Sequence, residues 1–217
     1  MNKNLTEIVA ILDRSGSMEH LTNDTIGGFN SFLKEQKEIP GEAILSTVLF
    51  NDSYVLLHDR VNIKNVKSIT KSDYIAQGNT ALLDAMGKTI NDLGLKLYNT
   101  IENERPSKVI FFIITDGEEN SSVEFTNDKI KEMVELQKNT YNWEFIFLGA
   151  NIDSFSAAAS IGISADRAFD IAEDAEGIMF AQAAMSMAVS NLRQFNSVDA
   201  EEAPDFRTKI KKPKGKK

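Results

Sequence analysis

A chain of 217 residues, 42% apolar and 26% charged, has the composition of a soluble globular domain with a sizeable core, and is too short for two full α/β domains. It has no cysteine, which excludes disulfides, thiolate sites and iron–sulfur clusters and fits a reducing compartment, so a cytoplasmic location is expected. The net charge of -8 sets the body against nucleic-acid phosphates; no apolar run approaches the roughly 18 residues that span a bilayer, and no secretory pattern is visible, so neither nucleic acid nor membrane is an expected partner.

The first apolar run, Ile8-Val9-Ala10-Ile11-Leu12, stops abruptly at Asp13-Arg14-Ser15-Gly16-Ser17. This reads as a buried strand delivering oxygen atoms to a loop at its C-terminal end, where open α/β sheets keep their sites. Three hard donors at alternate positions can turn towards one point, with Gly16 allowing the bend, and suit a small hard cation, Mg²⁺ first. From Asn23 to Gln36, Ile26, Phe29, Phe32 and Leu33 recur at helical spacing; Pro40-Gly41 ends this first helix. Ala43 to Phe50 follows as a second strand, and Asn51-Asp52 as a tight turn into an antiparallel third, Tyr54 to His58. Val61 to Tyr74 lacks clear periodicity and reads as irregular structure.

Gln77-Gly78-Asn79-Thr80 punctuates the chain before a helix from Ala81 to Asn99, with Leu82, Ala85, Met86, Ile90, Leu93 and Leu97 as its apolar stripe and Thr80 as a helix-end hydroxyl. Val109 to Ile114, apolar on both faces, is expected to be a central parallel strand ending at Thr115-Asp116-Gly117. A helix from Phe125 to Asn139 with Thr126 as its cap comes next, then a strand from Trp143 to Leu148 and a short helix from Asp153 to Ser160. An edge strand Ala168 to Ile171 and a last helix from Ala175 to Phe195 complete the pattern. Strands alternating with helices predict a three-layer, doubly wound α/β domain: a mostly parallel central sheet with one antiparallel edge strand and helices on both faces. The domain is expected over residues 1–198, with a basic tail over 199–217; from Arg207 onward that tail has seven basic residues and no acidic one.

Asp13, Ser15, Ser17, Thr80 and Asp116 thus come from three loops on one edge of the expected sheet. In order and spacing they resemble the metal-ion-dependent adhesion site of the von Willebrand factor type A domain: Asp-x-Ser-x-Ser at 13, 15 and 17, Gly-Asn-Thr at 78 to 80 and Thr-Asp-Gly at 115 to 117. The resemblance covers roughly Glu7 to Ile171. It implies that Ser15 and Ser17 give hydroxyls directly to the metal, that Thr80 does so directly or through water, and that Asp13 and Asp116 act largely through water. With two carboxylates at most, the cation keeps residual positive charge and an open position for an outside carboxylate. Oxygen coordination favours Mg²⁺, with Mn²⁺ or Ca²⁺ as alternatives.

The function expected from this resemblance is a non-enzymatic module that recruits a protein partner through an Asp or Glu. Cytoplasmic single-domain relatives of bacteria and phages are the implied setting, and a chaperone-like ATPase is one partner so implied. A Mg²⁺-dependent phosphoryl hydrolase with Asp13 as nucleophile is the competing reading, but the second acid such enzymes place two residues on is here Ser15. A third reading gives the work to the basic tail, on nucleic acid or an acidic surface. Ser15 has no Gly-x-Ser-x-Gly context and the chain has no phosphate-binding Gly-x-x-x-x-Gly-Lys loop, so neither acyl transfer nor nucleotide hydrolysis is expected. Glu118-Glu119 reads as a solvated acidic loop, His20 as a surface histidine, and Met179, Met185 and Met187 as core residues of the last helix.

Overall fold

The computed structural model describes residues 1–150, 152–171 and 175–194, and the side chains of all of these except 175–181. The tail from residue 195 onward, Asn151, and the side chain of Met179 lie outside the described residues. Strands and helices alternate as expected: β1 (Asn2–Asp13), α1 (Thr22–Glu38), β2 (Glu42–Phe50), β3 (Tyr54–Asn62), α2 (Leu82–Tyr98), β4 (Pro106–Thr115), α3 (Asn127–Tyr141), β5 (Glu144–Ala150), α4 (Ser154–Ser160), β6 (Ala168–Ile171) and α5 (Ala175–Gln194). The sheet order is β3-β2-β1-β4-β5-β6; β3 runs antiparallel to β2 and the other four pairings are parallel. Among the described residues no helix is long and apolar enough to cross a membrane.

β1 sits at the centre because it can be covered on both sides. Ile8, Ala10 and Leu12 pack with Phe29, Phe32 and Leu33 of α1 and with Met185, Ala188 and Val189 of α5. Val9 and Ile11 face the other way, against Met86 and Ile90 of α2 and Ile130 and Val134 of α3. Residues 8 to 12 are fully removed from solvent, which is what a parallel strand with helices on both faces requires. The helices end as their chemistry dictates: the Thr126 hydroxyl accepts the Lys129 N–H at the start of α3, and Asn142 takes the left-handed conformation after it.

The stretch Val61 to Tyr74 is more ordered than its sequence reads. β3 runs on to Asn62, and Ile63, Val66, Ile69 and Tyr74 are then buried beneath α1. No periodicity appears because these residues reach the core singly, at irregular spacing. Polar contacts fasten them: Asn30 donates to the Ile69 carbonyl at 3.0 Å and accepts its N–H at 2.9 Å, and Lys37 Nζ donates to the Val66 carbonyl at 2.8 Å.

A buried carboxylate, Glu7, sits away from the sheet's C-terminal edge. Glu7, on β1, is fully buried; its Oε2 accepts Arg60 Nε at 3.1 Å and Nη2 at 3.0 Å, while Oε1 is buried with no partner among the described residues. Arg60 reaches across β2 from a break in the β2–β3 register, where its φ of 51 lies in the left-handed region and Ser46 Oγ accepts its N–H. Burial pushes the Glu7 carboxyl up to about 7, against the pull of Arg60. A carboxyl raised in the folded state favours folding fully below its unfolded value near 4.5, and this contribution is lost as pH rises through about 7. Urea denaturation from pH 4 to 8 should therefore show wild type losing roughly 3 kcal/mol relative to Glu7→Gln across that window. A difference independent of pH would show that Glu7 titrates normally in the fold.

Candidate metal centre

The strand order reverses between β1 and β4: the chain leaves β1 towards β2 on one side, and β4 leads to β5 on the other. Such a switch point opens a crevice at the carboxyl ends of the two strands. Asp13 closes β1 and Asp116 directly follows β4, so both carboxylates stand at this crevice. Asp13 lies one step past the Leu12–Ile114 pair, level with Thr115.

Asp13 is fully buried and both of its oxygens are engaged. Oδ1 accepts the Ser15 N–H at 2.6 Å and Oδ2 accepts the Thr115 hydroxyl at 2.6 Å; the buried Tyr74 hydroxyl donates to the Asp13 main-chain carbonyl. The first of these bonds folds the loop back so that Ser15 and Ser17 turn towards each other, with Oγ atoms 3.1 Å apart. The Ser17 hydroxyl then donates to Asp116 Oδ1 at 2.7 Å, which joins the β1 loop to the β4 loop. Asp116 Oδ2 is buried and has no hydrogen-bond partner among the described residues.

Thr80 completes the ring from the third loop. A Cβ placed on Gly117 would stand 3.0 Å from Thr80 Oγ1 and 3.4 Å from Ser17 Oγ, so both hydroxyls border the space that glycine leaves. The Thr80 main chain is fixed by Asn120, whose Oδ1 accepts its N–H at 2.9 Å and whose N–H donates to its carbonyl at 3.1 Å. Gly16 N donates to the Gly78 carbonyl at 2.9 Å and locks the first loop to the second. Gly78 needs its φ of 76, and a Cβ there would collide with Asp52 Oδ2, which accepts the Asn79 N–H.

The five expected residues are thus gathered at one point, but two neighbours act differently from their sequence reading. Thr80 is not the helix-end hydroxyl: the exposed N–H groups of α2 at Leu83 and Asp84 are taken by Glu119 Oε2 and Ser122 Oγ, which leaves the Thr80 side chain to the site. Glu119 is not merely solvated, since its carboxylate also accepts from Ser121 N, Ser122 N and Ser122 Oγ and so shapes the loop after Asp116. His20 is exposed and donates Nδ1–H to the Ser17 carbonyl at 2.7 Å.

Burial acts on both carboxylates of the centre. Burial raises the Asp13 carboxyl above the ordinary aspartate range, opposed by the Thr115 and Ser15 hydrogen bonds and reinforced by Asp116. Asp116 is raised for the same reason, with the Ser17 hydroxyl and His20 holding it down. No group of three His, Cys, Asp or Glu residues converges among the described residues. The donor set is instead hydroxyl-rich, three hydroxyls and two carboxylates, all hard oxygen, which fits Mg²⁺, Mn²⁺ or Ca²⁺ better than a thiophilic metal. Asp116 Oδ2, which has no donor among the described residues, is an oxygen open to such an ion.

No protein-family model matches the chain, and no curated protein matches it in sequence. Solved structures do share the fold. A von Willebrand factor type A protein from Catenulispora acidiphila is 13% identical, with a TM-score of 0.55 over 88% of this chain and 43% of that one. Proximal thread matrix protein 1 from the mussel byssus, solved with a zinc-occupied MIDAS motif, is 13% identical at a TM-score of 0.57, over 85% of this chain and 46% of that one. The pilus adhesin SpaC from Lactobacillus rhamnosus GG is 14% identical at a TM-score of 0.64, over 88% of this chain and 31% of that one. The chain therefore has the fold of von Willebrand factor type A domains, and spans less than half the length of each of these structures.

Thr115→Val tests how the centre is held. It removes the donor to Asp13 Oδ2 at nearly constant shape, so folding stability at pH 7 should fall by about 1.5–3 kcal/mol in urea denaturation. An unchanged midpoint would mean that Asp13 does not depend on this bond.

Proposed function

We propose that this chain is a metal-dependent protein-binding module, in which a divalent cation, Mg²⁺ first, sits among Ser15, Ser17, Thr80, Asp13 and Asp116. The observation that carries the reading is Asp116 Oδ2, a buried carboxylate oxygen without a donor among the described residues, at the end of a hydroxyl chain running from Ser15 through Ser17. When bound, such a cation supplies an electrophilic point at which a carboxylate of a partner protein can complete the coordination. The residues themselves divide the work. Ser15, Ser17 and Thr80 present neutral oxygens, and Asp13 and Asp116 supply the negative charge from behind. The Asp13 carboxylate, tied at both oxygens, fixes the loop rather than reaching outward.

The same burial weakens the hydrolase reading. A phosphoryl-accepting aspartate must present a free oxygen to its substrate, whereas Asp13 has none and is fully removed from solvent. We therefore read the centre as binding rather than catalytic. That the fold's neighbours include a pilus adhesin and a matrix protein with an occupied metal motif is in keeping with an interaction module. The family resemblance implies a chaperone-like ATPase as one candidate partner.

Two measurements test this reading. Mg²⁺ should raise the thermal midpoint of wild type in a concentration-dependent way and leave that of Asp116→Ala unmoved. In pull-downs from a lysate of the source organism, a partner should be retained by wild type with Mg²⁺ and lost in EDTA or with Asp116→Ala. The same proteins bound under all conditions, or a midpoint indifferent to Mg²⁺ in wild type, would overturn the proposal.

A further inference from the structure

Arg14 occupies the position between Asp13 and Ser15, and none of the roles so far described uses its side chain. Its main chain is fixed: Arg14 N donates to the Phe50 carbonyl at 2.7 Å, and its carbonyl accepts Gln77 N at 2.9 Å. Its guanidinium is not satisfied. Nη2 makes one contact, at 3.3 Å to Ser53 Oγ; Nε is buried with no acceptor; and Arg14 forms no ion pair among the described residues. A guanidinium carries five N–H donors, and one long bond leaves most of them idle.

The groups on which Arg14 rests are already committed elsewhere. Ser53 donates N–H and Oγ to Asn51 Oδ1, and Asn51 Nδ2 donates to the Gln77 carbonyl. Asp52, the carboxylate of the same turn, is taken by Asn79 through N at 2.8 Å and Nδ2 at 2.9 Å. Arg14 is thus a half-buried cation laid along the rim formed by residues 51–53 and 77–79. It stands close enough to the centre that the hydroxyl of Tyr74, which touches the Asp13 carbonyl, feels Arg14 together with Asp13 and Asp116.

Resting on the metal-bridge reading, we propose that Arg14 is a second anchor for the partner, and that the segment recognised carries two acidic residues, one for the metal and one for the Arg14 guanidinium. The planar fork of arginine pairs with a carboxylate through two parallel N–H···O bonds, a geometry that lysine cannot reproduce. A segment that tests such a pair carries its two carboxylates two residues apart, about 7 Å along an extended chain. The specificity follows: an acidic side chain alone suffices for the metal, and the pair selects among acidic segments.

Two capped peptides, acetyl-Asp-Gly-Asp-amide and acetyl-Asp-Gly-Asn-amide, test this by NMR titration in Mg²⁺. The Ser15 and Gly16 amides report the centre, and the Arg14 Nε–Hε resonance reports the guanidinium. Wild type should bind the diacidic peptide roughly fivefold more tightly, with the Arg14 resonance shifting for that peptide alone. In Arg14→Gln, shown to be folded by its amide spectrum, the ratio should fall to about two, the statistical advantage of two carboxylates over one; in Arg14→Lys it should be partly kept. A ratio of about two or less in wild type, or a fivefold preference that survives in Arg14→Gln, overturns the second anchor while leaving the metal bridge standing. Binding of either peptide by wild type that is unchanged in EDTA overturns the metal bridge and this proposal with it.

Discussion

The centre depends on a single buried carboxylate. Asp13 loses all contact with water at the end of β1, a position whose cost only dedicated hydrogen bonds can offset. The Ser15 N–H and the Thr115 hydroxyl provide them, and each also performs a geometric task. The bond to Ser15 folds the loop so that the two serine hydroxyls approach, and the bond to Thr115 ties β1 to β4 across the switch point. Because the strand behind Asp13 is buried on both faces, the carboxylate has no freedom to relax towards solvent.

Everything else in the fold serves to keep that edge in place. β1 and β4 are central and buried along their C-terminal halves, so the loops they launch inherit the rigidity of the core. The third loop hangs on cross-loop hydrogen bonds instead. Gly16 to Gly78, Gln77 to Arg14, and Asn120 to Thr80 stitch the 77–80 segment to its neighbours, while Glu119 and Ser122 take over the start of α2. This division releases the Thr80 hydroxyl, which would otherwise serve the helix, for the site. It also explains why Gly117 must lack a side chain: the space it leaves is bordered by two of the three hydroxyls.

The sequence disclosed what periodicity and punctuation can disclose. The apolar runs of β1 and β4, each broken by an aspartate, gave the central strands and the edge on which the site lies, and the helical stripes gave the layers. It did not disclose the partners that hold the site. Tyr74 lies in a stretch without periodicity, and its hydroxyl meets the Asp13 carbonyl only because the chain crosses beneath α1. Thr115 was visible within Thr-Asp-Gly, yet only the register of β4 against β1 shows that its hydroxyl faces Asp13 rather than the crevice. Glu119 looked like surface charge because the contact that gives it a structural task, the Leu83 N–H at the start of α2, comes from a segment 36 residues away. Glu7 carries no signal in the sequence, because its partner Arg60 comes from a register break on β3. In each case the missing information was which strand or loop stands opposite, and that is fixed by tertiary contact alone.

The charge of the chain bears on how such a centre would work. A chain of net charge -8 repels an acidic partner at long range, so recognition of carboxylates needs a local inversion of sign. Under the metal-bridge reading this inversion has two sources of different kind. A divalent cation held directly by neutral hydroxyls stays electrophilic although Asp13 and Asp116 balance its formal charge, and Arg14 adds a cation that pairs with no carboxylate among the described residues. The surrounding negative field then becomes a filter. It disfavours acidic surfaces that approach without engaging the centre, and spares those whose carboxylates land on it. Specificity would come from the contrast between a small positive point and an acidic surround rather than from a broad complementary patch, and affinity from desolvated contacts at that point.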